Sequence, residues 1–295
     1  MIGAALARLG YHAIRLPMTL DLARARRELS EAHPALVFNL VESLAGDDRL
    51  CPLAAALFDH LRLPYTGAPQ HALSVAVDKV RSKRLLARAG IRTPHWLTAA
   101  AELPREGNAS WIVKRRFSEA SIGLDDASVV TQSELPARLA ERDAHAPGAW
   151  FAEEFVDGRE FNIALIATPS GPRVLSIAEI RFDDFPEGKP RIVGYAAKWD
   201  AGSFEYHHTP RSFAANAAEP LLAAQLAEIA RRCWDLFDLD GYARVDIRLA
   251  GDTPSVLEIN ANPCLSPDAG FAAALNASGI GYDDGIELIV NAALK

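Results

Sequence analysis

Cysteine is scarce: Cys51, Cys233 and Cys264 are the whole complement of a 295-residue chain. An odd number of thiols at wide spacing excludes a disulfide framework and a cysteine-rich zinc site. An excess of positive charge is also lacking. Lys plus Arg number 31 against 38 Asp plus Glu, a net charge of −7. That argues against gripping nucleic acid over a broad surface, while leaving room for a local basic patch. Charge or proline interrupts every apolar run, so none reaches the length of a spanning helix. The opening Met1–Gly10 carries Arg8 and lacks the basic segment and cleavage site of a secretory leader. A cytoplasmic protein with no nucleic-acid or membrane partner is the expectation. Apolar residues are plentiful, 49% hydrophobic against 23% charged. That suffices for a sizeable core and, at this length, for two or three subdomains.

The first segment reads as alternating helices and strands. Helices are expected at 2–9, 20–33 and 53–61, and strands at 12–16, 35–41 and 63–66. The run Ala35–Val41 is nearly all apolar, as in a strand buried on both faces of a parallel sheet. A sheet of this kind normally opens on a strand, whereas this chain opens on a helix, so a further strand before Met1 is an expectation. A basic helix follows at 78–89, closed by Gly90. Strand character returns at 111–115, 150–156, 160–167 and 174–180. Residues 181–213 are polar and patternless, which suggests a functional loop or lid. A clear amphipathic helix spans 221–237, two strands flank Ala250–Pro254, and a terminal helix begins near Asp283.

Chemistry concentrates in Gly241–Pro263, GYARVDIRLAGDTPSVLEINANP. Side chains alternate along a strand, so Arg244, Asp246 and Arg248 share one face of the first strand and Glu258 and Asn260 share a face of the second. A hairpin centred near Asp252 puts Asp246 opposite Glu258 and Arg244 opposite Asn260. Two carboxylates across a ladder repel. The arrangement makes sense around a hard cation, because Asp, Glu and Asn oxygens suit Mg²⁺ or Mn²⁺ completed by water and phosphate. An ordinary exposed polar strand face accounts for the same pattern.

Several phrases, in order, shift that balance: LPYTG at 63–67, VDKVRSKRLLARAGIRTP at 77–94, IVKRRFSEASIGL at 112–124, FAEEFVDGREF at 151–161, YAAKW at 195–199 and the hairpin. Together they resemble the ATP-grasp superfamily and, within it, the D-alanine–D-alanine ligase family, over residues 35–295. The resemblance implies an α/β protein of ATP-grasp fold. A parallel α/β N-terminal subdomain (1–70) would precede two α+β subdomains (71–155 and 156–295) that enclose ATP. It implies ATP-dependent joining of a small-molecule carboxylate and an amine through an acyl phosphate. On this likeness Lys79 and Lys114 bind nucleotide, and the loop Phe117–Gly123, including Ser121, covers the phosphates. Glu153, Glu154, Phe155 and Val156 border adenine, and Glu160 takes the ribose. Lys198 reaches the γ-phosphate, Arg244 steadies the oxyanion, and Asp246, Glu258 and Asn260 hold Mg²⁺ or Mn²⁺. A homodimer is compatible with the same likeness.

The departures lie at the amino-acid end. The family's glycine-rich turn and its glutamate would fall before residue 1, and FNLVE replaces its early His-Gly phrase. Ala120 stands for a serine, Trp199 for a tyrosine, Cys264 for a glycine, and Ala269–Gly270 for a Ser-Leu pair. The acid and amine are therefore expected to differ from, or be altered relative to, those of the family. A nucleotide-binding regulatory protein without turnover is the alternative. His207–His208 reads as a solvated loop rather than a metal site, Cys264 as an ordinary small residue, and Lys79–Arg88 as a solvated helix face.

Overall fold

The computed structural model describes residues 1–104, 107–118 and 120–294. Glu119, inside the expected phosphate loop, lies outside them. The chain builds two antiparallel sheets flanked by helices. The four-stranded sheet contains β1 (Trp96–Leu97), β2 (Ser110–Arg115), β3 (Val129–Thr131) and β4 (Trp150–Glu154), in the order β1-β4-β2-β3. Its apolar face, with Trp111, Val113 and Ala152, packs on Leu135 and Leu139 of helix Leu135–His145.

The six-stranded sheet contains β5 (Arg159–Thr168), β6 (Gly171–Val174), β7 (Ala178–Ile180), β8 (Arg211–Ser212), β9 (Tyr242–Ala250) and β10 (Thr253–Asn260). The order is β10-β9-β5-β7-β8, with β6 on the side of β5. One face is apolar: Phe161, Ile163, Val245 and Ile247 pack on Leu226, Ala230 and Trp234 of helix Pro220–Phe237. The other face changes character along its length. Ala164, Ile166 and Tyr242 lie under the helices Gly270–Ala277 and Tyr282–Ala293. Two residues further along the same strands come Asn162, Arg244 and Asp246, then Glu160 and Arg248. The period of two thus carries the strands from core to polar site without changing face.

The β9–β10 hairpin reaches the expected pairing by an unexpected route. The turn is tight, Ala250 opposite Thr253, with Gly251 at φ +55. That register alone would put Leu257 opposite Asp246. An irregularity between Val256 and Glu258 inserts Leu257 as an extra residue and brings Glu258 opposite Asp246 and Asn260 opposite Arg244.

The N-terminal segment differs from its expected parallel sheet. Its helices form at Ile2–Arg8, Leu22–Ala32 and Pro52–Leu61. Among the described residues the strand pairing there reduces to two isolated bridges, Val37 to Tyr65 in parallel and Leu44 to Asp47 antiparallel. Residues 12–16 form no strand; Ile14 is 66% exposed. The run Ala35–Val41 is nonetheless packed on both sides, Leu36 and Phe38 toward the C-terminal core and Val37 and Val41 toward the N-terminal helices. Two-sided burial was legible in the apolar run; the ladder depends on neighbours, which local pattern does not specify. The expected strand 174–180 is likewise split, ending at Val174 and resuming at Ala178. Residues 181–213 are not patternless. They hold short helices at Tyr195–Trp199 and Phe204–His208 and the strand β8, around a cluster of Phe182, Phe185 and Phe204.

Candidate active site

Strands β2 and β4 of the first sheet and β5, β9 and β10 of the second line one cleft of about 600 Å³, open to solvent. Of the residues singled out in the sequence, Lys114, Ser121, Glu153, Glu154, Phe155, Val156, Glu160, Lys198, Asp246 and Glu258 line it. Lys79 and Arg244 reach its rim through their carboxylate partners, and Asn260 sits opposite Arg244 in the ladder. Ile112, Ile192 and Leu257 add apolar walls beside Phe155 and Val156, the chemistry that receives a flat ring.

The ionic groups are arranged as neutralised units. Lys79 heads helix Lys79–Arg88, whose N-cap Asp78 accepts from the backbone N–H groups of Val80 and Arg81. Its Nζ lies 2.8 Å from Glu258 Oε1. Burial pushes the Glu258 carboxyl up, but Lys79, then Lys198 and Arg244, overcome it and hold the group down at about 2. Arg244 grips Asp246 with Nε at 2.7 Å and Nη2 at 2.8 Å, and Asn162 donates to the same carboxylate at 2.9 Å. Arg248 bonds Glu160 Oε2 with two nitrogens, at 2.9 and 2.6 Å, and donates to the carbonyl oxygens of Gly158 and Arg191. Glu153 is buried between Lys83 and Lys114, both 2.5 Å away. Burial alone would raise its pKa; the two ammonium groups reverse the sign and hold it ionised. Lys198 has its pKa lowered by burial and then by Arg244, against the pull of Glu258, Asp246 and Glu160.

Lys83, Asn162 and Arg248 belong to the site without a sequence motif that singles them out. Arg248 carried a signal, since it continues the face of Arg244 and Asp246. Asn162 follows Glu160 by two residues on a strand, a weaker cue. Lys83 follows Lys79 by one helical turn, but among the many basic residues of that helix nothing local marks it as the buried one.

The loop Phe117–Gly123 and residues 181–213 are joined. Ser121 Oγ donates to the Val193 carbonyl at 2.8 Å, Tyr195 N–H to Leu124 O at 2.9 Å, and Lys189 pairs with Asp126 at 2.5 Å. Ala120 and Ser121 both have φ +59, a left-handed conformation that costs a non-glycine residue roughly 1–2 kcal/mol. Trp199 Nε1 donates to the main-chain oxygen of Ala120 at 2.9 Å. The two departures are therefore coupled: the indole bonds the backbone and needs no hydroxyl at 120. His207 and His208 spend a ring nitrogen each on carbonyls of Ala201 and Phe204, and His208 stacks on Phe204. Cys233 is buried, which pushes its thiol up to about 12.

The donor set of Asp246, Glu258 and Asn260 fits a hard divalent cation. It consists of oxygens, and the carboxylates stand opposite each other in the ladder. Lys79 and Arg244 occupy the position of positive charge beside them. No group of three His, Cys, Asp or Glu able to hold a metal occurs among the described residues, so such a cation would also draw on substrate oxygens.

Comparison with known proteins bears on the family and the fold. Residues 95–291 match the family model described as D-ala D-ala ligase C-terminus. The D-alanine–D-alanine ligase of Desulforudis audaxviator is 28% identical, over 98% of this chain and 90% of that protein. The ligase of Moorella thermoacetica is 29% identical, over 100% and 92%. Among solved structures, the Bacillus anthracis D-alanine–D-alanine ligase complexed with ATP aligns with a TM-score of 0.75 at 20% identity, over 99% of this chain and 89% of that one. The architecture is that of the ATP-grasp fold. The chain belongs to the D-alanine–D-alanine ligase family, whose named relatives are ATP-dependent carbon–nitrogen ligases. No helix among the described residues is long and apolar enough to cross a membrane.

Proposed function

We propose that this protein is an ATP-dependent ligase that joins a small-molecule carboxylate to an amine, with an acid and amine pair altered from that of its named relatives. The observation that carries the reading is the opposed Asp246–Glu258 pair facing, across one cleft, the apolar edge Phe155–Val156 and the cations Lys114 and Lys198. Adenine packs against Phe155 and Val156, Glu160 accepts from the ribose, and Lys79, Lys114, Ser121 and Lys198 bind the phosphates. Asp246, Glu258 and Asn260 would hold Mg²⁺ or Mn²⁺, which would neutralise phosphate charge. A bound cation would share these two carboxylates with Lys79 and Arg244, which pair with them here.

The chemistry runs in two displacements. A carboxylate oxygen of the acid attacks the γ-phosphorus; the bond to the β–γ bridging oxygen breaks and ADP leaves. The amine nitrogen then attacks the acyl carbon; phosphate departs with its oxygen and the nitrogen loses a proton. Lys198 offsets charge on the transferred phosphoryl group, and Arg244 donates to the oxyanion that forms on the acyl carbon. The lid, tied to residues 120–126, excludes water from the acyl phosphate. We propose the division 1–70, 71–155 and 156–295, with the cleft between the latter two.

Trp199 and the absence of hydroxyls at Ala120 and Ala269 support the altered substrate pair. A lost hydrogen bond to a charged group costs on the order of 1.5–3 kcal/mol, so D-alanyl-D-alanine formation is expected to be absent or minor. The test is ADP release across a matrix of amino acids and dipeptides, D-alanine included, alongside calorimetry of Mg·ATP. Turnover with one acid–amine pair, and loss of Mg·ATP affinity in Asp246→Asn/Glu258→Gln, are the expected results. Unchanged affinity in that double variant would remove the metal assignment, and robust dipeptide synthesis from millimolar D-alanine would remove the altered substrate.

A further inference from the structure

Arg248 has no step in the scheme above, yet it lines the same cleft and is almost wholly buried, 3% exposed. Register sets it opposite Glu160 across β9 and β5. Each N–H donor of its guanidinium finds an acceptor. Nε and one Nη2 proton go to Glu160 Oε2, the other Nη2 proton to Arg191 O, and Nη1 to Val156 O at 3.3 Å and Gly158 O at 3.1 Å. The hinge reaches it because residue 158 has no side chain: a Cβ there would stand 2.1 Å from Leu249 O. Phe155 and Phe182 cover the guanidinium, with ring centroids 6.0 and 5.1 Å away.

The acceptors belong to three segments around the cleft: the turn Val156–Gly158, strand β5 and residues 181–213. A guanidinium with its donors spent on protein has none to offer a phosphate or a substrate oxygen, so Arg248 acts through what it holds. Both of its bonds to Glu160 end on Oε2. Oε1 accepts no hydrogen bond among the described residues, and Glu160 lines the cleft. A carboxylate gripped by one oxygen presents the other in a fixed direction. The bond to Arg191 O anchors the chain beside Ile192 and Val193, which form the facing wall.

We propose, resting on the nucleotide reading of this cleft, that Arg248 is a positioning residue for the nucleoside. It aims Glu160 Oε1 at the ribose hydroxyls and, with the same guanidinium, seats residues 189–193 against the nucleoside end of the cleft. Selectivity for a ribonucleotide then depends on an arginine whose donors are all engaged by protein. Lysine cannot replace it in full: an ammonium carries the charge on three donors and lacks the planar fork that reaches three segments at once.

Calorimetry with Mg²⁺ tests it, comparing ATP with 2′,3′-dideoxy-ATP, which lacks the ribose hydroxyls. We expect native protein to bind ATP about tenfold or more tighter. Arg248→Met should cut that ratio below about threefold while affinity for the dideoxy nucleotide moves by less than about threefold. Arg248→Lys should fall between. Glu160→Ala should remove the ratio by itself, and adding Arg248→Met to it should change the ratio no further. A native ratio that survives in Arg248→Met, both nucleotides weakening together, or no preference in native protein would each overturn the proposal. If Arg248→Met fails to fold, a full native ratio in Arg248→Lys overturns it instead. Loss of the ratio in Glu160→Ala but not in Arg248→Met removes only the positioning role; a ratio that neither variant moves also removes the assignment of Glu160 to ribose. If native protein binds neither nucleotide, the nucleotide reading falls. Hydrogen exchange of residues 189–193 without ligand, expected to be about fivefold faster in Arg248→Met, then still decides whether Arg248 holds that segment.

Discussion

Replacing Glu153 by Gln should be among the most destabilising single changes in this protein. Glu153 and Lys83 each have side chains 1% exposed, 2.5 Å apart, and Lys114 approaches from the cleft at the same distance. Glutamine keeps the shape and removes the charge. Lys83 then retains one neutral partner, Thr93 Oγ1 at 2.8 Å. Breaking a buried pair by removing one partner costs roughly 3–5 kcal/mol, because the remaining charge is left desolvated. For a chain of 295 residues the unfolding entropy is about 0.6 kcal/mol per kelvin, so the melting temperature should fall by roughly 5–8 °C. The pH dependence identifies the cause. Burial already lowers the Lys83 pKa, and Glu153 opposes that shift. Without Glu153 the folded-state value drops further below the unfolded one. The unfolded state then binds more protons, and stability of the variant rises with pH relative to native protein. Urea unfolding at pH 7 and pH 10 should show the deficit narrowing, and Lys83→Met added to Glu153→Gln should recover at least half of it. A deficit under 1 kcal/mol, or one that stays constant between the two pH values, would refute the reasoning.

Glu258 gives the opposite pH signature. Its folded pKa is depressed to about 2, so its contribution is complete above its unfolded value and is lost as pH falls toward 2. Native protein should lose up to ~3 kcal/mol in that window that Glu258→Gln lacks, read by urea unfolding from pH 5 to pH 2.5. Trp199→Phe removes the indole bond to Ala120 O and should speed hydrogen exchange of residues 120–124 roughly fivefold, the equivalent of about 1 kcal/mol; unchanged exchange would mean that the loop is held without it. Exchange across residues 181–209 should slow when Mg·ATP is added, and no slowing at saturation would count against closure of this segment over nucleotide.

How much of this was legible in the sequence depended on the range of the interaction. Helices with a strong period and a cap, such as Lys79–Arg88 with Asp78 before it, were readable because their signals are local. Strand faces are readable too, which is why the alternation alone groups Arg244, Asp246, Glu258 and Asn260. The N-terminal ladder was not: whether Ala35–Val41 pairs beyond Val37 is decided by chain segments distant in sequence. The short helices at Tyr195–Trp199 and Phe204–His208 carry too few residues for a period to emerge. Lys83 was hidden for another reason. Its sequence neighbours resemble those of a surface lysine, and only the approach of β4 converts it into the buried partner of Glu153.

The hairpin shows how close such a reading can come while missing the mechanism. A symmetric turn centred on Asp252 gives the right opposition of Asp246 and Glu258, but the real turn is tighter by one residue, and Leu257 makes up the difference. The bulge has consequences on both sides of the strand. It returns Glu258 and Asn260 to the polar face, while Val256 and Ile259 remain in the core beneath. It also places Leu257 on the wall of the cleft, next to the carboxylates. A regular ladder would have had to choose between an apolar residue opposite Asp246 and a carboxylate in the core, where a lone charge is far costlier than a strand irregularity. The extra residue resolves that conflict, and the neutralised site follows from it: once Glu258 faces Asp246, the two negative charges require the positive charge that Lys79 and Arg244 supply.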